Sequence, residues 1–240
     1  MFDTVILVTG APEQEVLGGC LKGHNPQLRV IGVETGIELL ALNDAVLVRS
    51  RLIGFCTPVI VPPRILDRLG FGAYNFHPGP PAFPGLSPAQ FAIYHQAQQF
   101  GATVHRMAER VDAGPIVAFR LFDIRPDIGV EELELMAYRV LAQLFWMLAE
   151  PLAVESEALP SLPTTWAPEK SSRRRYEALC AIPTDIAKDE LDRRVAAFGG
   201  GYFGVRPTIT LHGHTFQLVP QVAAAPKIEA VEIAMTRNVG

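Results

Sequence analysis

The sequence predicts an α/β fold, built on a mostly parallel sheet with flanking helices and followed by a small C-terminal helix and β-hairpin appendage. Three observations predict it. Short apolar runs alternate with turn or helix signals through the first half of the chain. One long segment after them carries apolar residues at three- and four-residue spacing. A proline-rich stretch then separates this body from a last helix and a two-strand pattern.

Taken in order, Thr4-Val-Ile-Leu-Val8 reads as a buried strand, and Leu28 to Val33 and Ala45 to Val48 read as two more. Pro62 to Leu69 is a short helix candidate, with proline tolerated in its first turn. Ala73 to Phe76 is a fourth strand. Ser87 suits the N-cap of a helix running to about Gln96. Ala102 to Met107 and Ile116 to Phe122 read as strands flanking a loop around Asp112. Val130 to Leu152 is a helix: Leu133, Met136, Ala137, Val140, Leu141, Leu144 and Leu148 recur on one face, with Glu131, Glu132 and Glu134 near its start. Residues 155 to 168, with Pro160, Pro163 and Pro168, form a linker crossing the surface. A helix from Ile186 to Phe198 follows, then Thr208 to Leu211, a His212-Gly213 turn, and His214 to Val219 as a hairpin. The last twenty residues show no clear element. The expected division is a catalytic domain over 1–155 and a linker with a small extension over 156–240.

Composition sets the class. With 240 residues, 49% hydrophobic and 19% charged, the chain buries a sizeable core. A net charge of −4 gives no general reason to expect a nucleic-acid partner. Cys20, Cys56 and Cys180 have no metal-ligand spacing and read as reduced thiols. No basic segment precedes an apolar run at the start, and no apolar run is long enough to span a bilayer, so a cytoplasmic protein is expected. Gly10 to Gly23 contains no G-x-G-x-x-G, which removes the reason to propose a dinucleotide site. His212 and His214 lack a further ligand nearby and are assigned to the hairpin turn, so no metal is assigned. The Arg173-Arg174-Arg175 run reads as a solvated face.

Chemistry concentrates in Asn75-Phe-His77-Pro78, then Gly101-Ala-Thr103-Val-His105, then Asp112-Ala-Gly114-Pro-Ile116. An amide donates to a developing oxyanion, an imidazole shuttles a proton, and a carboxylate orients the imidazole and holds its charge. Asn75 and His77 lie two residues apart at the end of a strand and so face the same side. By itself each residue also suits a bland role: a turn-capping amide, a satisfied loop histidine, an Asp-Ala-Gly turn.

Together these strings resemble the signature of the 10-formyltetrahydrofolate-dependent formyltransferases, whose pattern is Asn-x-His followed by Gly-x-Thr-x-His and Asp-x-Gly-x-Ile. The resemblance is clear from about Val59 to Ala118. It implies a Rossmann-like formyltransferase fold, with a shortened N-terminal half because only 74 residues precede Asn75. It implies transfer of a formyl group from 10-formyltetrahydrofolate to a primary amine, on an amino sugar or small metabolite. Asn75, His77 and Asp112 would be catalytic, with Asp112 raising the His77 pKa. Pro58, Val59, Ile60 and Val61 would line the folate pocket, faced by the loop of Glu109 and Val111, and His105 would shape the reaction centre. A homodimer is compatible with the sequence. Hydrolysis of the formyl-folate, the formyl-folate domain of hydrogenase-maturation proteins (which share the string His77-Pro78-Gly79-Pro80-Pro81), and a non-catalytic folate-binding protein are the alternatives.

Overall fold

The computed structural model describes residues 1–219. Strand β1 (Thr4–Val8) is buried along its whole length, which is why it reads as a continuous apolar run rather than an alternating one. Helix α1 (Ala11–His24) leads to β2 (Arg29–Val33), and two short helices follow, α2 (Gly36–Leu40) and α3 (Asp44–Leu47). Strand β3 (Ser50–Phe55), the single turn α4 (Pro63–Leu66) and strand β4 (Ala73–His77) complete the parallel half. Helix α5 (Pro88–Tyr94) then precedes β5 (Gln99–Arg106) and β6 (Ile116–Asp123). The sheet order is β2-β1-β3-β4-β5-β6; β5 is antiparallel to both its neighbours, so β6 runs in the same direction as β1 to β4. The 25-residue helix α6 (Val130–Val154) packs on the sheet through Leu133, Ala137, Leu141, Leu144 and Phe145. Phe145 meets Phe55 and Phe76 at ring-centroid distances of 5.9 and 5.2 Å, tying α6 to β3 and β4.

Two expectations need correction here. Ala45–Val48 is not a strand. The side chain of Asn43 accepts a hydrogen bond of 3.0 Å from Val46 N, and this cap turns the segment into α3. The strand lies instead at Ser50–Phe55, and its polar start hides it: Ser50 and Arg51 are each 0% exposed. Arg51 spreads its donors over four backbone carbonyls. It donates to Leu152 O (2.8 Å), Glu157 O (3.0 Å), Pro151 O (3.2 Å) and Phe71 O (3.3 Å), so it caps the C-terminus of α6. The second correction concerns Ser87. It stands at the N-cap of α5 but has φ 55 and makes no side-chain cap bond, and its hydroxyl has no partner. The helices at Pro62–Leu69 and Ser87–Gln96 are shorter than expected, contracting to α4 and α5.

Beyond α6 the chain forms α7 (Arg173–Cys180), β7 (Ala181–Ile182), α8 (Lys188–Phe198), and the hairpin β8 (Thr208–Leu211) and β9 (His214–Gln217). The His212-Gly213 turn has positive φ at both positions, 48 and 83, as a two-residue hairpin turn requires. The arginine run opens α7, where Ser172 caps Arg175 N and Arg173 and Arg175 pair with Glu177 and Glu169. Tyr176 and Cys180 bury that helix against Phe91 and Phe198. The final stretch, for which the sequence shows no element, lies outside the described residues. Among the described residues no helix is long and apolar enough to cross a membrane.

Replacing Arg51 by leucine strands the carbonyls at the end of α6. Urea unfolding of Arg51→Leu is expected to show a loss of about 3 kcal/mol or more, with Arg51→Lys recovering only part, because an ammonium cannot spread across diverging acceptors.

Candidate functional site

Register brings the site together. Strands β4 and β5 pair antiparallel with Asn75 opposite His105 and His77 opposite Thr103. Residues opposite one another share a face, so two adjacent cross-strand pairs place four polar side chains side by side. A register shift at Val104/His105 marks an irregularity in the β5–β6 ladder beside these residues. Thr103 Oγ1 donates to Gly79 O at 2.7 Å and so fixes the turn that follows His77.

Asp112 enters from the β5–β6 loop with φ 45, an unusual conformation for a residue with a side chain. Its Oδ2 accepts a 2.8 Å hydrogen bond from Gly85 N and lies 3.6 Å from His77 Nδ1. Its Oδ1 lies 3.2 Å from His105 Nε2 and 3.4 Å from Asn75 Nδ2. Two glycines permit this approach. Gly85 has φ 98, and a Cβ there would meet Ser171 O at 2.3 Å; a Cβ on Gly114 would meet Arg106 O at 1.9 Å.

Backbone carbonyls only accept, and this assigns protons. His77 Nε2 lies 3.1 Å from Phe83 O and carries a hydrogen, so the Nδ1 position facing Asp112 is the one that gains or loses a proton. His105 Nδ1 donates to Arg106 O at 2.9 Å. With that single proton, His105 Nε2 accepts from Asn75 Nδ2 at 3.1 Å, while a second proton would turn it into a donor toward Asp112. The Asn75 amide is therefore held by groups on both sides.

His77 and Asp112 are each 5% exposed. Burial pushes the His77 pKa below its ordinary value. The Asp112 carboxylate raises it, as expected, but burial outweighs that pull and the net direction is downward. For Asp112, burial works upward, but the pull of His77, the bond and charge of His105, and the Gly85 N–H together hold the carboxyl well below the usual range.

The segment expected to face a flat ligand is split. Val61 turns into the core with Val8, Leu52 and Ile65, and Val59 packs partly against the same cluster. Pro58 and Ile60 face outward, with Ile60 71% exposed, and Glu109 and Val111 are exposed on their loop. Sequence reading missed Trp166, which lies in the proline-rich stretch. Its ring stands 5.0 Å from that of His105 and 5.7 Å from that of His77. A tryptophan amid polar and proline residues was the available signal, because so large an apolar side chain is seldom left in a solvated linker. Among the described residues no group of three or more metal-ligating side chains clusters.

These pKa directions have a stability consequence. Between the folded His77 value and the ordinary value of about 6.5, the unfolded chain binds more protons, so stability falls as pH falls through that window. The depressed Asp112 carboxyl adds a further loss below about pH 3.9. Urea titrations at about pH 7.5 and about pH 5.5 are expected to show a drop that His77→Gln reduces.

Residues 52–144 match the formyl transferase family model. Methionyl-tRNA formyltransferase from Thermotoga neapolitana is 36% identical over 76 residues, which are 31% of this chain and 24% of that relative. The chain thus aligns with about a quarter of its curated relatives' length. Among solved structures, a sugar N-formyltransferase from a Shewanella species superposes with a TM-score of 0.72 at 16% identity, covering 91% of this chain and 96% of that one. An N-formyltransferase from Helicobacter canadensis, solved with folinic acid and dTDP-3-aminofucose, gives a TM-score of 0.62 at 16% identity over 89% of this chain and 85% of that one. These two likenesses establish a shared fold. The segment that matches the formyl transferase family model holds Asn75, His77, Thr103, His105 and Asp112.

Proposed function

We propose that this protein transfers the formyl group of 10-formyltetrahydrofolate to a primary amine on a small acceptor, an amino sugar or similar metabolite, in the cytoplasm. The observation that carries the reading is the convergence of Asn75, His77 and Asp112 at the carboxyl end of β4, inside the family-matched segment. Open α/β sheets bind ligands at that end of their strands. The folate bound to the Helicobacter canadensis relative supports a folate donor, and its aminofucose nucleotide supports an amino-sugar acceptor.

The chemistry follows from the groups present. The amine lone pair attacks the formyl carbon, and the carbonyl electron pair moves onto oxygen. Asn75 supplies an N–H to that oxygen, released from its hold on His105 and Asp112. The attacking nitrogen gives up a proton as it becomes an amide. His77 Nδ1, facing the Asp112 carboxylate, receives it, and the carboxylate stabilises the imidazolium so formed. Collapse of the tetrahedral centre breaks the carbon–nitrogen bond to the folate, whose nitrogen takes up a proton, giving tetrahydrofolate and the formamide. A resting His77 that burial keeps neutral suits this acceptor role better than a resting imidazolium.

The pterin would lie between the 58–61 segment and the loop of Glu109 and Val111. Ile60 and Val111, 71% and 43% exposed, offer apolar surface there, while Val61 is committed to the core. In this reading residues 1–155 form the catalytic domain and 156–240 a linker with a small extension.

The test is a screen of amino sugars, amino acids and hydroxylamines with 10-formyltetrahydrofolate, following release of tetrahydrofolate. Amine-dependent release supports the reading. Release of formate without amine would make the protein a hydrolase, and tight folate binding with no turnover a binder. Asp112→Asn is expected to cut turnover by about 100-fold or more, with folate affinity measured by calorimetry little changed, because its charge acts on the transition state. His77→Asn is expected to be at least as severe. The double variant should fall far short of the product of the two losses, as groups acting as one unit do.

A further inference from the structure

The stretch after α6 is bonded to the walls of the site along its length. Leu159 N donates to the Tyr74 hydroxyl oxygen at 2.8 Å, and Leu162 N to Ile116 O at 2.7 Å. Trp166 Nε1 donates to Gly114 O at 2.9 Å, and Ala167 N to Pro81 O at 2.9 Å. Ser171 Oγ sits 3.0 Å from Pro84 O and 2.6 Å from Leu86 O, and Lys170 Nζ meets Val111 O. From Trp166 onward the acceptors lie beside site residues: Pro81, Pro84 and Leu86 follow His77, and Val111 and Gly114 flank Asp112. The segment is a strap, and Trp166 is its inward side chain.

We propose that Trp166 is a positioning residue of the formyl-transfer site, forming one wall against both His77 and His105, fixing their ring planes and excluding water from them. This rests on the formyl-transfer reading for its catalytic consequence, but not for its geometry. The indole is nearly perpendicular to both imidazoles, at 78° and 89°, the arrangement aromatic pairs favour. Its N–H is anchored on Gly114, in the loop that carries Asp112, so the ring is held to the same loop as the carboxylate. The groups facing His77 are Asp112 from the β5–β6 loop, His105 from β5 and Lys170 from the strap, all of which carry or can carry charge. The indole is the uncharged wall among them. Removing it admits water, weakens the burial that disfavours imidazolium, and loosens ring planes on which proton transfer depends.

The test uses the full-length protein labelled with nitrogen-15 in its histidines and free of ligand. Ring-nitrogen signals are followed against pH in wild type and in Trp166→Phe, Trp166→Leu and Trp166→Ala, with exposed His212 and His214 as internal references. Trp166→Ala and Trp166→Leu are expected to raise the His77 titration midpoint by about one pH unit, and Trp166→Phe to stay near wild type. The steady-state arm is expected to show kcat lower by about ten-fold or more in Trp166→Ala, with its pH profile displaced, while KM for folate and amine changes little. If Trp166→Ala fails to fold, Trp166→Leu, which keeps part of the apolar volume but not the indole wall, carries the same comparison. Wild-type titration of His77 in a folded Trp166→Leu or Trp166→Ala overturns the proposal and leaves Trp166 a surface covering. A wild-type protein that transfers no formyl group sinks the formyl-transfer reading alone, since the histidine titrations are read without turnover.

Discussion

A carboxylate buried to the extent of Asp112 cannot stand ionised unless donors surround it, and the donors here come from three separate parts of the chain. The Gly85 amide arrives from the loop after β4. His105 and Asn75 arrive from neighbouring strands, and His77 from the end of β4. Meeting that single charge dictates much of the local architecture. The left-handed backbone at 112 and the β4–β5 register that sets Asn75 against His105 both serve it, while the Ser171 and Arg106 carbonyls leave no room for a side chain at 85 and 114. The charge is also what makes the imidazoles useful, since a proton arriving on the inner nitrogen of His77 finds its counterion in place. Burial and charge pull His77 in opposite directions, and burial prevails.

Much of this was legible in the sequence, for identifiable reasons. A fully buried parallel strand announces itself as an apolar run, so β1 was readable, and the one-sided periodicity of Leu133 to Leu148 announced α6. The motif strings placed Asn75, His77, His105 and Asp112 in one site because residue type and spacing carried the information together. What stayed hidden depended on tertiary partners. Ser50 and Arg51 look like solvent-facing residues, and only the four backbone carbonyls that Arg51 bonds explain an arginine in a fully buried strand. Val46 and Leu47 look like strand, and a local cap from Asn43 overrides them. Helix α7 begins with three arginines, so its apolar content, Tyr176 and Cys180, is too sparse to announce a buried face. The direction of the His77 pKa turned on burial, a quantity no motif encodes.

The two halves of the sheet divide the work. The parallel strands β1 to β4 and the helices on them supply rigidity, with the Phe55, Phe76 and Phe145 contacts joining β3 and β4 to α6. The antiparallel pair β5–β6 supplies the functional loop. Antiparallel pairing of β5 with β4 returns the chain along the same edge, so His105, near the end of β5, lies level with Asn75 on β4.

The strap over residues 156–171 separates two notions of a domain that usually coincide. By topology the sheet and its helices are complete at Val154, and a boundary there cuts no strand of that sheet. By chemistry the unit is not closed until Ser171, since the ring against both histidines and the bonds to the loop after His77 come from beyond that boundary. A fragment ending at α6 would thus retain the strands of the main sheet and yet lose the ring that covers His77 and His105.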